Sequence, residues 1–353
     1  GVGGRSHFGS SSRSGRRLAQ PGHRRRSAAM KWAKAIGSAL KQIDTAGWAV
    51  VSVGPGASAA EMASVATGLL RVEGSGGGSY NGGGGVNRPT LFNSAWLNAA
   101  EGAPASLRIQ FHNEMAYSRS FPKYVAFGMF QPADVDGTTL VVDNAKVTER
   151  LSAPLKRKMH DLGVRYVRLL YDESERGLPD YFNSWQAAFG TEDPGEAAGK
   201  ASGPDMFAEW QEGPGGARRM RHTAWAPVFV THPALGEIYF TSVLNRHGSW
   251  QDGHEVFGKL PLDRRPYQCA WGDGTPLSDD ELAELREVQD GAMERVHLEQ
   301  GDVIAMDNLR VQHGRTTFQG KRVLGLMLSD MVDREAKYQP PACFAAPTAK
   351  SAM

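Results

Sequence analysis

In the stretch RIQFHNEMAYS (108–118) an imidazole and a carboxylate, His112 and Glu114, stand two positions apart in an apolar run. Side chains at i and i+2 of a strand leave the same face. The pair is therefore expected to project together, with Phe111 and Asn113 facing away. Two imidazoles and one carboxylate on one side of a metal form the facial triad that holds non-haem Fe(II) and leaves coordination positions open. The missing third ligand should return from a distant strand. His313, in NLRVQHGRTTFQGKR (308–322), is the best candidate, because it ends a strand-like run and cations that suit an acidic co-substrate follow it. Alone, His-x-Glu is a weak signal, since a core histidine beside a salt-bridged glutamate gives the same pattern.

The elements that must position these residues are mostly short strands. AGWAVVSVG (46–54) reads as a strand, and SAAEMASVATGLL (58–70) as a helix with a Ser start. GSGGGSYNGGGG (74–85) has no Gly-Lys-Ser/Thr after it and reads as a surface loop rather than a phosphate loop. From residue 107 the texture is β-rich, interrupted by a helical stretch at 144–163. Residues 173–217, dense in Gly, Pro and acids, read as a long insertion of the kind that forms lids and binding loops. SDDELAELREVQDGAMERV (278–296) is the clearest helix, with Ser278 and Glu281 set for a capping box. Many short strands, few helices and no regular strand–helix alternation predict a mainly β fold with flanking helices around a jelly-roll (double-stranded β-helix) core.

Bulk composition narrows the function classes. A hydrophobic content of 41% and a charged content of 22% fit a globular protein. The net charge of +2 hides an N-terminus with no Asp or Glu before Asp44. The rest of the chain is mildly acidic, which argues against a nucleic-acid partner. Residues 1–29, rich in Arg, Ser and Gly, are expected to be a disordered basic tail or a transit peptide. Residues 30–340 are expected to be the folded domain and 341–353 a C-terminal tail. The location is then cytoplasmic, or an organelle if 1–29 is a transit peptide. With only Cys269 and Cys343 there is no disulfide framework and no cysteine-built zinc site. No apolar run reaches the length of a membrane span.

Six segments taken together resemble the taurine dioxygenase-like (TauD/TfdA-like) family of Fe(II)- and 2-oxoglutarate-dependent oxygenases. They are FHNEMAYS (111–118), DGTTLVVDN (136–144), SWQAAFGTED (184–193), HPALGEIYF (232–240), WGDGTPLSDDEL (271–282) and GDVIAMDNLRVQHGRTTFQGKRVL (301–324). They fall in the family's order across roughly residues 40 to 332. The likeness is greatest to the amino-acid-hydroxylating (syringomycin-type aspartyl hydroxylase) branch, some of whose substrates are tethered to carrier proteins.

The resemblance implies that His112, Glu114 and His313 are the iron ligands. It implies that Arg322 and Thr139 bind the far carboxylate of 2-oxoglutarate, and a planar guanidinium suits that two-bond grip better than an ammonium does. Arg315 is left between shaping the site and facing solvent. Asp307 or Asn308 is a candidate acceptor for the second nitrogen of a ligand histidine. Arg246, His247 and Trp250, in LNRHGSWQDGH (244–254), are candidate substrate contacts. The implied reaction hydroxylates an unactivated C–H bond of a small polar molecule, an amino acid or derivative that is free or carrier-bound. O2 and 2-oxoglutarate are consumed, and succinate and CO2 are released.

Leu326 stands where the sulfonate-using members carry a second arginine, so a sulfonate held in that manner is not expected. Glu114 is a carboxylate, whereas related halogenases have Ala or Gly there. No HExxH helix or Gly-x-Ser-x-Gly elbow points to a hydrolase. The other reading is a non-catalytic jelly-roll binding or sensor module. Oligomeric state is left open.

Overall fold

A computed structural model describes residues 21–72, 91–92, 98–100, 103–175 and 184–344, the side chains of 21–30 and Asn98 excepted. The glycine-rich loop, residues 1–20 and residues 345–353 lie outside the described residues.

The chain begins with α1 (Pro21–Ala46), β1 (Trp48–Ser52) and α2 (Ala59–Leu69). α1 starts inside the segment expected as a disordered tail, and its Ala-, Lys- and Arg-rich sequence explains why it is helical. Ser58 and Glu61 close a capping box on α2. Next come β2 (Asn98–Ala99), β3 (Ile109–His112), β4 (Ser120–Pro122), β5 (Tyr124–Gln131), β6 (Val135–Asp136) and β7 (Thr139–Asp143). They lead into α3 (Asn144–Arg150), α4 (Ala153–Leu162) and β8 (Val164–Leu170). After them come α5 (Trp185–Phe189), α6 (Pro194–Lys200), β9 (Met206–Glu212), β10 (Arg218–Ala226), β11 (Phe229–His232), β12 (Gly236–Tyr239) and α7 (Val243–Arg246). The last third holds β13 (Tyr267–Trp271), α8 (Asp279–Gly291), β14 (Met293–Val296) and β15 (Asp302–Asp307). It ends with β16 (Val311–Arg315), β17 (Phe318–Gln319), β18 (Val323–Leu328) and β19 (Met331–Asp333). No described helix is long and apolar enough to cross a membrane.

Two sheets form the core. One has the order β1-β15-β5-β18-β2 and the other β14-β7-β16-β3, and their strand pairs are antiparallel. Strand periodicity divides the residues of the first sheet between two layers. Val125, Phe127 and Met129 of β5, with Leu324, Leu326 and Leu328 of β18, pack against Val141, Val296 and Val311 of the second sheet. Tyr124, Ala126, Val303 and Ala305 point the other way, onto α1 and α2. The second sheet's outer face, with Phe111, Leu140 and Val142, is covered by α3, α4 and α8. The result is a mixed fold of antiparallel sheets flanked by helices, with a jelly-roll-like core. The expected barrel is met only in part, because hydrogen bonding does not close these sheets into a ring among the described residues.

The segment read as an insertion is built into a third sheet, ordered β13-β8-β10-β9. β9 pairs with β10 from Arg218↔Glu212 to Ala224↔Met206. Its polar residues conceal it because it is an edge strand with no fully buried residue.

Candidate metal centre

His313 lies on β16, held between β7 and β3, where it is paired directly with His112. Directly opposed residues of an antiparallel pair share a face. The two imidazoles accordingly meet with ring centroids 4.3 Å apart. Phe127 of the facing sheet closes on His313 from the other side, at 5.0 Å. His112 Nδ1 is 2.9 Å from the Gln110 carbonyl oxygen, to which it donates. That bond fixes the tautomer and leaves Nε2 as the metal-binding lone pair.

Glu114 reaches the same place by another route than the one expected. β3 ends at His112, and Glu114 sits in the turn that follows, before Met115 at a φ of 59°. Side-chain amides replace strand geometry. Glu114 N–H donates to Asn308 Oδ1 at 2.7 Å, and Asn308 Nδ2 donates to the Glu114 and Pro122 carbonyls at 3.0 and 2.8 Å. Fully buried Asn113 braces the turn, donating to the Asn308 carbonyl at 2.6 Å and accepting from Thr241 N–H at 3.0 Å.

One ligand atom from each of His112, Glu114 and His313 lies within 4.8 Å of the others. His313 Nε2 is 3.8 Å from Glu114 Oε2. No other cluster of this kind occurs among the described residues. Two nitrogens and one carboxylate oxygen are the donor set of a non-haem Fe(II) site, so the residues present fit that ion.

Strand register puts Thr139 on the same inter-sheet face. Thr139 is paired with Arg315 as Val141 is with His313, and Val141 belongs to the layer between the sheets. Arg322 immediately precedes β18 and is buried. Burial pushes its guanidinium down to about 10, so it remains charged at neutral pH. Gly137, at φ +77°, gives it room, since a Cβ there would meet Arg322 Cδ and Nε at 3.2 Å.

Other candidates have structural duties. Arg315 is buried and donates to the Pro104 and Leu107 carbonyls at 2.9 and 2.7 Å, fixing that loop. Asp307 accepts from His232 Nε2 at 3.2 Å, and Asn308 holds the Glu114 turn. The acceptor for ligand His112 is therefore a backbone carbonyl, which sequence cannot single out. His247 caps the turn Gly248–Gln251. Arg246 lies between the rings of Tyr117 and Tyr267, 4.1 and 4.4 Å from their centroids, and lines a cavity that His247 and Trp250 do not reach. Leu326 is fully buried in the apolar layer.

The family described as "Taurine catabolism dioxygenase TauD, TfdA family" matches residues 46–328. A clavaminate synthase-like protein of Arabidopsis thaliana is 27% identical over 63% of the chain, and the match spans 65% of that protein's own length, just under two thirds. The dapdiamide synthesis protein DdaC of Enterobacter agglomerans is 26% identical over 68% of the chain and 70% of its own. Among solved structures, an asparagine oxygenase in complex with Fe(II), a hydroxyasparagine and succinate aligns with a TM-score of 0.46 at 13% identity, covering 86% of this chain and 83% of the other.

Proposed function

Because the chain belongs to the TauD/TfdA family of dioxygenases, we propose that it is an Fe(II)- and 2-oxoglutarate-dependent hydroxylase acting on an unactivated C–H bond of an amino acid or derivative. The observation that carries this reading is the convergence of half-buried His112 with buried Glu114 and His313 between two sheets. The amino-acid-hydroxylating branch, with free or carrier-bound substrates, is the part of the family to which we assign it.

In this reading the two imidazoles and the Glu114 carboxylate hold Fe(II). The chemistry supplied by the bound metal is activation of O2, coupled to oxidative decarboxylation of 2-oxoglutarate. Arg322 grips the far carboxylate of that co-substrate through two parallel hydrogen bonds, and Thr139 adds its hydroxyl. The Gln110 carbonyl keeps His112 in its ligating tautomer. The apolar layer of Phe127, Leu324 and Leu326 excludes water from the reacting centre. With Leu326 in that layer, no cation stands where a sulfonate would be held.

The test is anaerobic titration of the Fe(II)-loaded protein with 2-oxoglutarate, followed in the visible spectrum. Chelation of the 2-oxo acid to Fe(II) gives a charge-transfer band that saturates, and Glu114→Ala and Arg322→Ala both weaken it. Absence of the band from protein shown to hold iron would discard the co-substrate assignment and favour a metal-binding module without turnover.

A further inference from the structure

The turn that carries Glu114 holds one strained residue. Met115 sits at a φ of 59°, a left-handed position that a residue with a side chain seldom takes and that persists only where its surroundings enforce it. Upstream, Asn308 satisfies both the N–H and the carbonyl of Glu114. The Met115 side chain packs against two apolar clusters, the layer between the sheets and the group around Phe121, Phe240 and Leu309. Downstream, Ala116 is fully buried, and its carbonyl accepts from Arg334 Nη2 at 2.7 Å. That is the one hydrogen bond this carbonyl makes among the described residues.

Arg334 is held in place from its own side. β19 is paired with β4 from Met331↔Pro122 to Asp333↔Ser120, and Arg334 N–H donates to the Arg119 carbonyl at 2.9 Å. Backbone and side chain of one residue therefore grip the turn at two points, Arg119 and Ala116. Further along, Tyr338 Oη is 3.2 Å from Thr231 Oγ1, and Arg165 Nη2 donates to the Cys343 carbonyl at 3.2 Å. Phe344 packs on Phe207 with ring centroids 5.5 Å apart. These contacts anchor the segment 335–344 on β11 and on the third sheet.

Burial lowers the Arg334 guanidinium to about 10, so it stays charged at neutral pH. Its Nε is buried and has no hydrogen-bond partner among the described residues. An arginine serving only as a surface charge would keep that nitrogen in water. Arg334 lies beyond residues 46–328, so the match to the family says nothing of it.

We infer that Arg334 is a positioning residue for the metal centre: it closes the downstream end of the Glu114 turn as Asn308 closes the upstream end, and so aims the carboxylate at the two histidines. The inference rests on the metal centre of the oxygenase reading, but it needs metal binding only and not turnover.

Titration of the full chain with Co(II) tests it, because the visible bands of bound Co(II) report ligand geometry without O2 or 2-oxoglutarate. Arg334→Met keeps the apolar stem and removes the donor. It should bind Co(II) about tenfold more weakly, with bands altered in position or intensity. Arg334→Lys retains a donor and should stay within about threefold of the parent. Ser278→Ala, which removes a helix cap elsewhere, lowers the urea midpoint but leaves affinity and bands unchanged, and so separates positioning from loss of stability. Coupling between two sites is reciprocal. In the parent, Co(II) should therefore slow hydrogen exchange at the Arg334 amide, a measurement that stands even if Arg334→Met does not fold. Parent-like affinity and bands in Arg334→Met, Arg334→Lys as weak as Arg334→Met, or exchange at Arg334 indifferent to Co(II) would each overturn the inference. A parent that binds no Co(II) would discard it together with the metal centre. If Co(II) binding responds as expected while the Fe(II) charge-transfer band with 2-oxoglutarate is absent, the oxygenase reading falls and the positioning role stands.

Discussion

The two imidazoles of the metal centre are placed by strand register and its carboxylate by side-chain amides. His112 and His313 are opposed on neighbouring strands, so their approach follows from the pairing itself. Glu114 depends on Asn308, which satisfies both its backbone N–H and its carbonyl. Asn308→Ala leaves those buried groups without partners. It should lower stability by about 1–3 kcal/mol, read as a lower denaturant midpoint, and weaken Fe(II) binding. Arg322→Lys keeps the charge but loses the planar fork. The expected result is roughly tenfold weaker 2-oxoglutarate binding in the anaerobic titration, with Fe(II) affinity unchanged. The residue types and their spacing were legible in the sequence. The Asn308 bracket was not, because an asparagine before a strand reads equally well as a turn residue.

At the scale of elements, the centre is stable because β16 is an interior strand with β7 on one side and β3 on the other. The glycine just before β7 has a role of its own. Gly137→Ala would strain a left-handed backbone position and push on Arg322. It should weaken 2-oxoglutarate binding while leaving Fe(II) binding intact, measured by the same spectral titration. A contrasting substitution lies in α8, where Ser278 and Glu281 form the capping box expected from sequence. Ser278→Ala should cost about 1 kcal/mol of stability and leave the spectral band unchanged. Capping boxes are legible because they are local. β9 was not, because an edge strand in a Gly-, Pro- and acid-rich stretch carries little of the apolar alternation that reveals a strand.

Over the whole molecule, stability should depend on pH through buried histidine. His222 has its folded value near 3 against an ordinary 6.5. Between those limits the unfolded chain takes up a proton that the folded chain refuses, so stability falls as pH drops through the window, by up to about 1.4 kcal/mol per pH unit. His247 is lowered by burial as well and acts in the same sense. In urea unfolding at a series of pH values, His222→Gln should make that slope shallower by nearly one proton. The sequence by itself determined the chemistry-bearing residues and the short-strand, antiparallel character of the fold, because strand alternation, helix caps and motif spacing are local properties of the chain. Only the tertiary structure decided that Glu114 arrives on a turn, that Arg315 is a brace, and that Arg168, His222 and Arg246 meet in one cavity. Those outcomes depend on pairings between segments far apart in the chain, and no local pattern specifies them.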